Sequence, residues 1–167
     1  MDTNDKLTLW AERNGISVVI EQTKRNPYGA HWAGATHFKA IFRRPEEWAG
    51  TTRVRQFTTH YSQGKAFTSH PSVGAILYAV MDDVLCYTQF AGSFETYCKL
   101  YGQDEDGDSD TLAAERRAFA KHSSMVRRAE IFFGPCQMGS LVEIMTGQED
   151  PEEWDFWAED QAAQEAC

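Results

Sequence analysis

The stretch Thr111-Leu-Ala-Ala-Glu-Arg-Arg-Ala-Phe-Ala-Lys-His-Ser-Ser-Met-Val-Arg-Arg-Ala-Glu-Ile-Phe-Phe-Gly134 carries the strongest helix signal in this 167-residue chain. Leu112, Phe119, Val126 and Phe133 recur every seven residues. Ala118, Met125, Ala129 and Phe132 widen that line to the apolar stripe that a globular helix buries. Arg116, Arg117, Lys121, Arg127 and Arg128 fall mainly on other faces. An acidic run from Asp104 to Asp110 precedes the helix and places negative charge at the positive end of its dipole. Ser109 or Asp110 can cap the first turn, and Gly134-Pro135 stops the last. A helix of this length and pattern needs other elements to cover its stripe, so the rest of the chain is read as packing around it.

Working toward the N-terminus, Arg53 to Tyr61 is rich in β-branched and aromatic residues and reads as a strand, although its pattern does not decide which face is inward. His37 to Arg43 alternates, with Phe38, Ala40 and Phe42 on one face and Lys39 and Arg43 on the other. Ile16 to Ile20 is a β-branched run. Asp5 to Asn14 places Leu7, Trp10 and Ala11 at helix spacing and is closed by Gly15. Between the strands and the long helix, Val73, Ile76, Leu77, Val80 and Val84 repeat at helix spacing with Pro71 at a first-turn position, and Ser93 to Gly102 is a short capped helix. After Gly134, Cys136 to Met145 predicts a helix with Leu141, Val142 and Met145 inward, and Glu152 to Ala166 predicts a last one. Strands first and helices later indicate an α+β fold. The expected architecture is a small three-stranded antiparallel sheet packed against a bundle of about five helices. The expected organisation is a single domain over 1–147, with 148–167 an acidic helix or tail docked on it or extending from it.

A hydrophobic content of 42% is that of a folded chain. No apolar run approaches the ~20 residues needed to span a bilayer, and the first residues lack the basic-then-apolar pattern of a secretory signal. Cys86, Cys98, Cys136 and Cys167 show no paired spacing, so reduced thiols in a cytoplasm are expected rather than a zinc site or disulfide framework. The net charge of −9 is unevenly laid out. Residues 1–70 carry an excess of Lys and Arg. After Arg128 there is no Lys or Arg at all, against ten Asp and Glu. Such asymmetry speaks of partners rather than of fold.

The chemistry-bearing motifs fail one by one. The run Asp104-x-Asp106-Gly-Asp108 invites a calcium loop, but setting Gly107 at the sixth position makes Gly102 the first ligand and Ala113 the twelfth, and neither can ligate. His31, His37, His60, His70 and His122 form no ligand pattern. Cys86 and Cys98 lie in apolar helical contexts where thiols are usually inert. No nucleophile elbow, phosphate loop or dinucleotide fingerprint is present. The expectation is a non-enzyme without cofactor or metal.

Two charged features remain. Lys39, Arg43, Arg53 and Arg55, with Arg44 alongside, give the sheet a basic face near Phe57 and Tyr61, a conceivable nucleic-acid platform. The tail from Gln148 to Asp160 joins Glu152, Glu153, Asp155, Glu159 and Asp160 to Trp154 and Trp157. Tryptophans anchor the centres of interfaces, and a carboxylate rim steers toward a basic partner. Carboxylates spaced like phosphates can occupy a nucleic-acid channel.

Phe57-Thr-Thr-His-Tyr-Ser-Gln-Gly64, Ser93-Phe-Glu-Thr-Tyr-Cys98, Gly102-Gln-Asp-Glu-Asp106, Ser109 and Phe132-Phe-Gly134 together resemble a group of small phage- and prophage-encoded proteins of unassigned activity. The likeness covers roughly residues 37–134. Gly107-Asp108 looks like an insertion and the acidic tail departs from the group. The shared residues look like a packing signature, with Ser93 capping a helix and Phe94 and Tyr97 buried. The resemblance implies a phage product acting in a bacterial host cytoplasm. The functional expectation is an anti-defence protein of anti-CRISPR type, a DNA mimic that binds a host protein or ribonucleoprotein with a basic surface, such as a Cas or other nuclease complex. The expected contacts are Glu152, Glu153, Trp154, Asp155, Trp157, Glu159 and Asp160, with Asp104, Asp106 and Asp108 as a second patch. The alternative is a nucleic-acid-binding accessory protein using Lys39, Arg43, Arg53 and Arg55. A second copy of the chain is a further candidate partner.

Overall fold

A computed structural model of the chain describes residues 1–24, 34–45, 54–64, 69–101 and 109–148, with the side chains of Tyr101 and Ser109 excepted. It is α+β: a three-stranded antiparallel sheet and four helices among the described residues. Helix α1 spans Thr3–Arg13, and the strands β1 Ser17–Thr23, β2 Thr36–Arg43 and β3 Gln56–Gln63 follow in the spatial order β1-β2-β3. Then come α2 Val73–Tyr87, a 3-10 turn Thr88–Phe90, α3 Phe94–Tyr101 and α4 Ser109–Met145.

The helix ends are set by local chemistry. The Asp2 carboxylate accepts from the Asp5 amide at 2.8 Å and starts α1. At the other end Gly15, at φ +69°, turns the chain into β1. Ser72 caps α2 through the Ala75 amide, so Pro71 stands just outside the helix rather than in its first turn. Ser93 caps α3 through the Thr96 amide at 3.2 Å. Gly134, at φ 77° and ψ 169°, breaks α4 into residues 109–133 and 135–145. The sequence expectation of a stop at Gly134-Pro135 is met, but the two segments follow one another directly, and the described residues hold four helices rather than about five. The helix expected over Glu152 to Ala166, and with it the domain boundary at 147/148, lies beyond or at the limit of the described residues.

The register fixes the faces. Val18, Phe42 and Phe57 stand side by side, as do Ile20, Ala40 and Thr59, and Gln22, Phe38 and Tyr61. These rows face the helices. Leu7, Trp10 and Ala11 of α1, Ile76, Leu77, Val80, Met81 and Val84 of α2, and Val126, Ala129, Phe132, Phe133, Leu141 and Ile144 of α4 close the core against Ala40, Phe42 and Phe57. Each such large side chain contributes ~2 kcal/mol by leaving water. Phe119, Val126, Ala129, Phe132 and Phe133 are buried as the seven-residue pattern predicts, whereas Ala118 is exposed and Leu112 only half-buried. In the last segment Ile144 is buried and Val142 and Met145 are half-buried. α1 and α2 approach closely: a Cβ on Gly74 would stand 1.7 Å from the Asn4 carbonyl oxygen.

A second, aromatic group lies at the far end of α2. Phe119 of α4 meets Tyr87, Phe90, Phe94 and Tyr97 at ring-centroid distances of 5.2 to 6.0 Å. The Ser93-Phe-Glu-Thr-Tyr-Cys98 motif is therefore a docking surface for α4, as its reading as a packing signature anticipates. Phe94 and Tyr97 are half-buried rather than buried, and Cys98 is the residue of that helix that is fully enclosed. Arg116 covers the outer side, its guanidinium 4.7 Å from the Phe94 ring centre. Cys86 and Cys98 carry free thiols. Cys136 is disulfide-bonded, which corrects the expectation that the thiols are reduced; that expectation holds for Cys86 and Cys98.

Candidate partner-binding surfaces

The sheet presents its second face away from the helices, and the alternation of β2 decides what it carries. Lys39, Ile41 and Arg43 point opposite to Phe38, Ala40 and Phe42. The rows across this face are Ser17-Arg43-Gln56, Val19-Ile41-Thr58, Glu21-Lys39-His60 and Thr23-His37-Ser62. Lys39 thus stands between an acid and a histidine, and its charge is locally offset by Glu21. Arg43 stands between two neutral polar residues and is exposed.

Beyond Arg43 the chain ends of β2 and β3 stay tied. The Arg44 amide donates to the Arg55 carbonyl at 3.1 Å, and the Arg44 guanidinium donates to the Val54 carbonyl at 3.4 Å. Burial, and then the charge of Arg55, hold Arg44 below the usual arginine pKa. Arg43, Arg44 and Arg55 therefore gather at one end of the sheet, while Lys39 lies about 13 Å from Arg43 along β2. Arg53 lies outside the described residues. So do Asp104, Asp106 and Asp108 and the whole tail set of Glu152, Glu153, Trp154, Asp155, Trp157, Glu159 and Asp160.

Residues 25 to 39 positions apart meet in ways the sequence does not announce. His37 Nδ1 and Ser62 Oγ are 2.6 Å apart on the second face of the sheet, with His37 8% exposed. His70 sets its ring edge-on to Phe38 at 5.1 Å. His122 Nδ1 lies 2.8 Å from Asp83 Oδ2 and joins α4 to α2, while Tyr87 stacks on its ring at 5.0 Å. Among the described residues no group of three His, Cys, Asp or Glu side chains could hold a metal ion. These pairs serve as tertiary ties: a histidine with a single hydroxyl or a single carboxylate orients its neighbours. Burial, the Glu115 carboxylate and the nearby Cys98 and Cys86 thiols raise the Tyr97 pKa.

Opposite edges of the sheet are finished differently. Arg128 of α4 reaches across β3, donating to the Thr58 carbonyl at 2.9 Å with its guanidinium 5.8 Å from the Phe57 ring centre. β1, at the other edge, pairs with β2 alone among the described strands. Val19 at its centre is 47% exposed. The sequence gives weight to β1 only as a strand; its edge position follows from the strand order and could not be read from residues 16–20. No helix among the described residues is long and apolar enough to cross a membrane. Comparison with protein families, with curated proteins and with solved structures finds no match to this chain.

Proposed function

We propose that this chain is a phage anti-defence protein of anti-CRISPR type, which binds a basic nucleic-acid-binding surface of a host nuclease complex through its acidic segments. One observation carries the reading: the described residues are close to charge balance, while two acidic segments outside them hold much of the chain's negative charge. The described residues hold thirteen Lys and Arg against eleven Asp and Glu, whereas segments 102–108 and 149–167 hold twelve Asp and Glu with no Lys or Arg. The described residues have little cationic surplus with which to offset those segments, and the reading takes the segments to meet a cationic partner. Within the tail, Trp154 and Trp157 are the anchors and Glu152, Glu153, Asp155, Glu159 and Asp160 the steering charges.

The test begins with the full chain immobilised against a bacterial lysate. Captured complexes are identified by mass spectrometry and their nucleic-acid cleavage is then measured. A nuclease complex inhibited by the full chain, with inhibition lost on truncation after Gly147 and weakened by high salt, supports the proposal. Undiminished inhibition by the truncated chain overturns the tail assignment, and capture of no nucleic-acid-binding protein overturns the reading as a whole.

A second reading, an accessory nucleic-acid-binding protein, is favoured by the gathering of Arg43, Arg44 and Arg55 at one end of the sheet. It requires a gel shift whose strength falls steeply with salt and is lost in the Arg43→Ala/Arg55→Ala double variant.

A further inference from the structure

The helical layer is offset across the sheet. α2 and α4 lie against β3, the Arg128 guanidinium finishes the β3 edge, and β1 is the outlying strand. The inner-face residues record this gradient. Phe57 and Thr59 of β3 and Ala40 and Phe42 of β2 are buried, but their neighbours Val18 and Ile20 of β1 are only half-buried. On the other face Val19 is 47% exposed beside Ile41. The β1 sequence Ser-Val-Val-Ile-Glu-Gln-Thr contains no Pro, Lys or Arg, which commonly protect edge strands from pairing, and its one charge is Glu21.

We propose that a second copy of this chain covers this edge. The two β1 strands pair antiparallel about a two-fold axis perpendicular to the sheet at Val19, making one continuous six-stranded sheet. Charge and apolar matching select that occupant and that register. With the axis at Val19, Val19 faces its own counterpart, so that Ile41, Val19 and the same pair of the second copy form one apolar strip across the outer face. On the inner face Val18 stands beside Ile20 of the second copy, filling the shortfall that the helices leave on both. Ser17 stands beside Glu21 of the second copy, and Arg43 lies on the far side of Ser17 in the same row. Two strand spacings of ~4.8 Å separate Arg43 from that glutamate, and a serine between them leaves both long side chains free to meet above it. Glu21 is thereby placed between Lys39 of its own copy and Arg43 of the other. Moving the axis to Ile20 pairs more residues but sets Val18 against Gln22 and Val19 against Glu21. Moving it to Val18 sets Glu21 against Gly15, outside the strand. One glutamate on each copy facing, two strands away, an arginine of the other is self-complementary, as an isologous interface requires.

The test is sedimentation equilibrium on the full chain across a dilution series, with thermal melting as a folding control. The expected result is a dimer that dissociates on dilution. Val19→Lys sets two ammonium groups side by side on the axis and yields a monomer whose melting midpoint matches that of the wild type at dilutions where the wild type is also monomeric. Glu21→Arg and Arg43→Glu each weaken the dimer by about tenfold, because each substitution acts twice in a two-fold interface, and the double variant Glu21→Arg/Arg43→Glu restores it. A wild-type chain that remains monomeric at ~100 μM, where even a weak specific association of ~8 kcal/mol is largely formed, overturns the proposal. So does a Val19→Lys variant that is still dimeric, or a double variant no tighter than either single one. If Val19→Lys fails to fold, the charge exchange at the exposed Glu21 and Arg43 decides the matter alone.

Discussion

The Gly74 amide donates a hydrogen bond of 2.9 Å to the Thr8 hydroxyl, which itself donates to the Asn4 carbonyl at 3.0 Å. A single hydroxyl thus fastens the start of α2 to the middle of α1, and the contact is possible because position 74 has no side chain. The Asn4 carbonyl lies where a Cβ would have to be, and backbone cannot give way cheaply. Gly74→Ala is therefore expected to lower the unfolding free energy by about 2 kcal/mol through overpacking, overriding the ~1 kcal/mol by which alanine prefers a helix to glycine. A shift of the urea midpoint at constant slope is the measurement. An unchanged midpoint would show that α1 and α2 do not approach so closely.

Gly134 is needed for the opposite reason. Nothing lies within 4 Å of its absent Cβ, but its φ of 77° with ψ of 169° belongs to a region that is essentially glycine's alone. Gly134→Ala is expected to cost about 1–3 kcal/mol from backbone strain. Gly139 is the control: it has the same open surroundings in ordinary helical backbone, and alanine there should stabilise by ~0.5–1 kcal/mol. Thermal melts of the two variants should therefore move in opposite directions.

Phe119 is 5% exposed and touches four aromatic rings from three elements. Phe119→Ala is expected to destabilise by about 3–5 kcal/mol. Because the sheet core does not depend on this group, amide exchange should accelerate most in α3 and in the first turns of α4. Uniform acceleration over the whole chain would instead show one cooperative unit.

Tyr97 supplies a pH dependence whose sign can be worked out. Its folded pKa is raised, by burial first and then by Glu115 and the Cys98 and Cys86 thiols, so the native state holds the phenolic proton more tightly than the unfolded chain does. The corresponding stability is fully present below the unfolded value of ~10 and is lost as pH rises through the higher folded value. Denaturant midpoints should fall as pH rises from ~10 through that higher value, and Tyr97→Phe should flatten the fall. An equally steep fall in the variant would place the alkaline sensitivity elsewhere.

The fold was legible where the signal is local. The stripe along 119–133, the alternation of β2, the Ser93 cap and the break at Gly134 are each encoded within a few turns, and each is found. The faces of β3 were not legible: in Phe57-Thr-Thr-His-Tyr61 polar β-branched residues occupy both faces, and Thr59 is buried while its neighbour Thr58 is not. Alanine is indifferent to its surroundings, so the stripe pattern alone puts Ala118 inward, and only the packing of Phe119 assigns it outward. Pairs such as Trp10 Nε1 with Ser140 Oγ at 3.1 Å, or His122 with Asp83, join residues too distant in sequence for any spacing rule. Of the surfaces expected to meet a partner, the structure gathers Arg43, Arg44 and Arg55 and sets Lys39 apart beside Glu21.

The reach of Arg128 onto Thr58 has a consequence for assembly. Sheets that grow by adding strands become fibres when every copy offers two receptive margins. Here a guanidinium from the copy's own helix already takes one carbonyl of the β3 margin. If copies join through β1, this tie makes the β3 margin less receptive to a further copy and favours a pair over a propagating sheet.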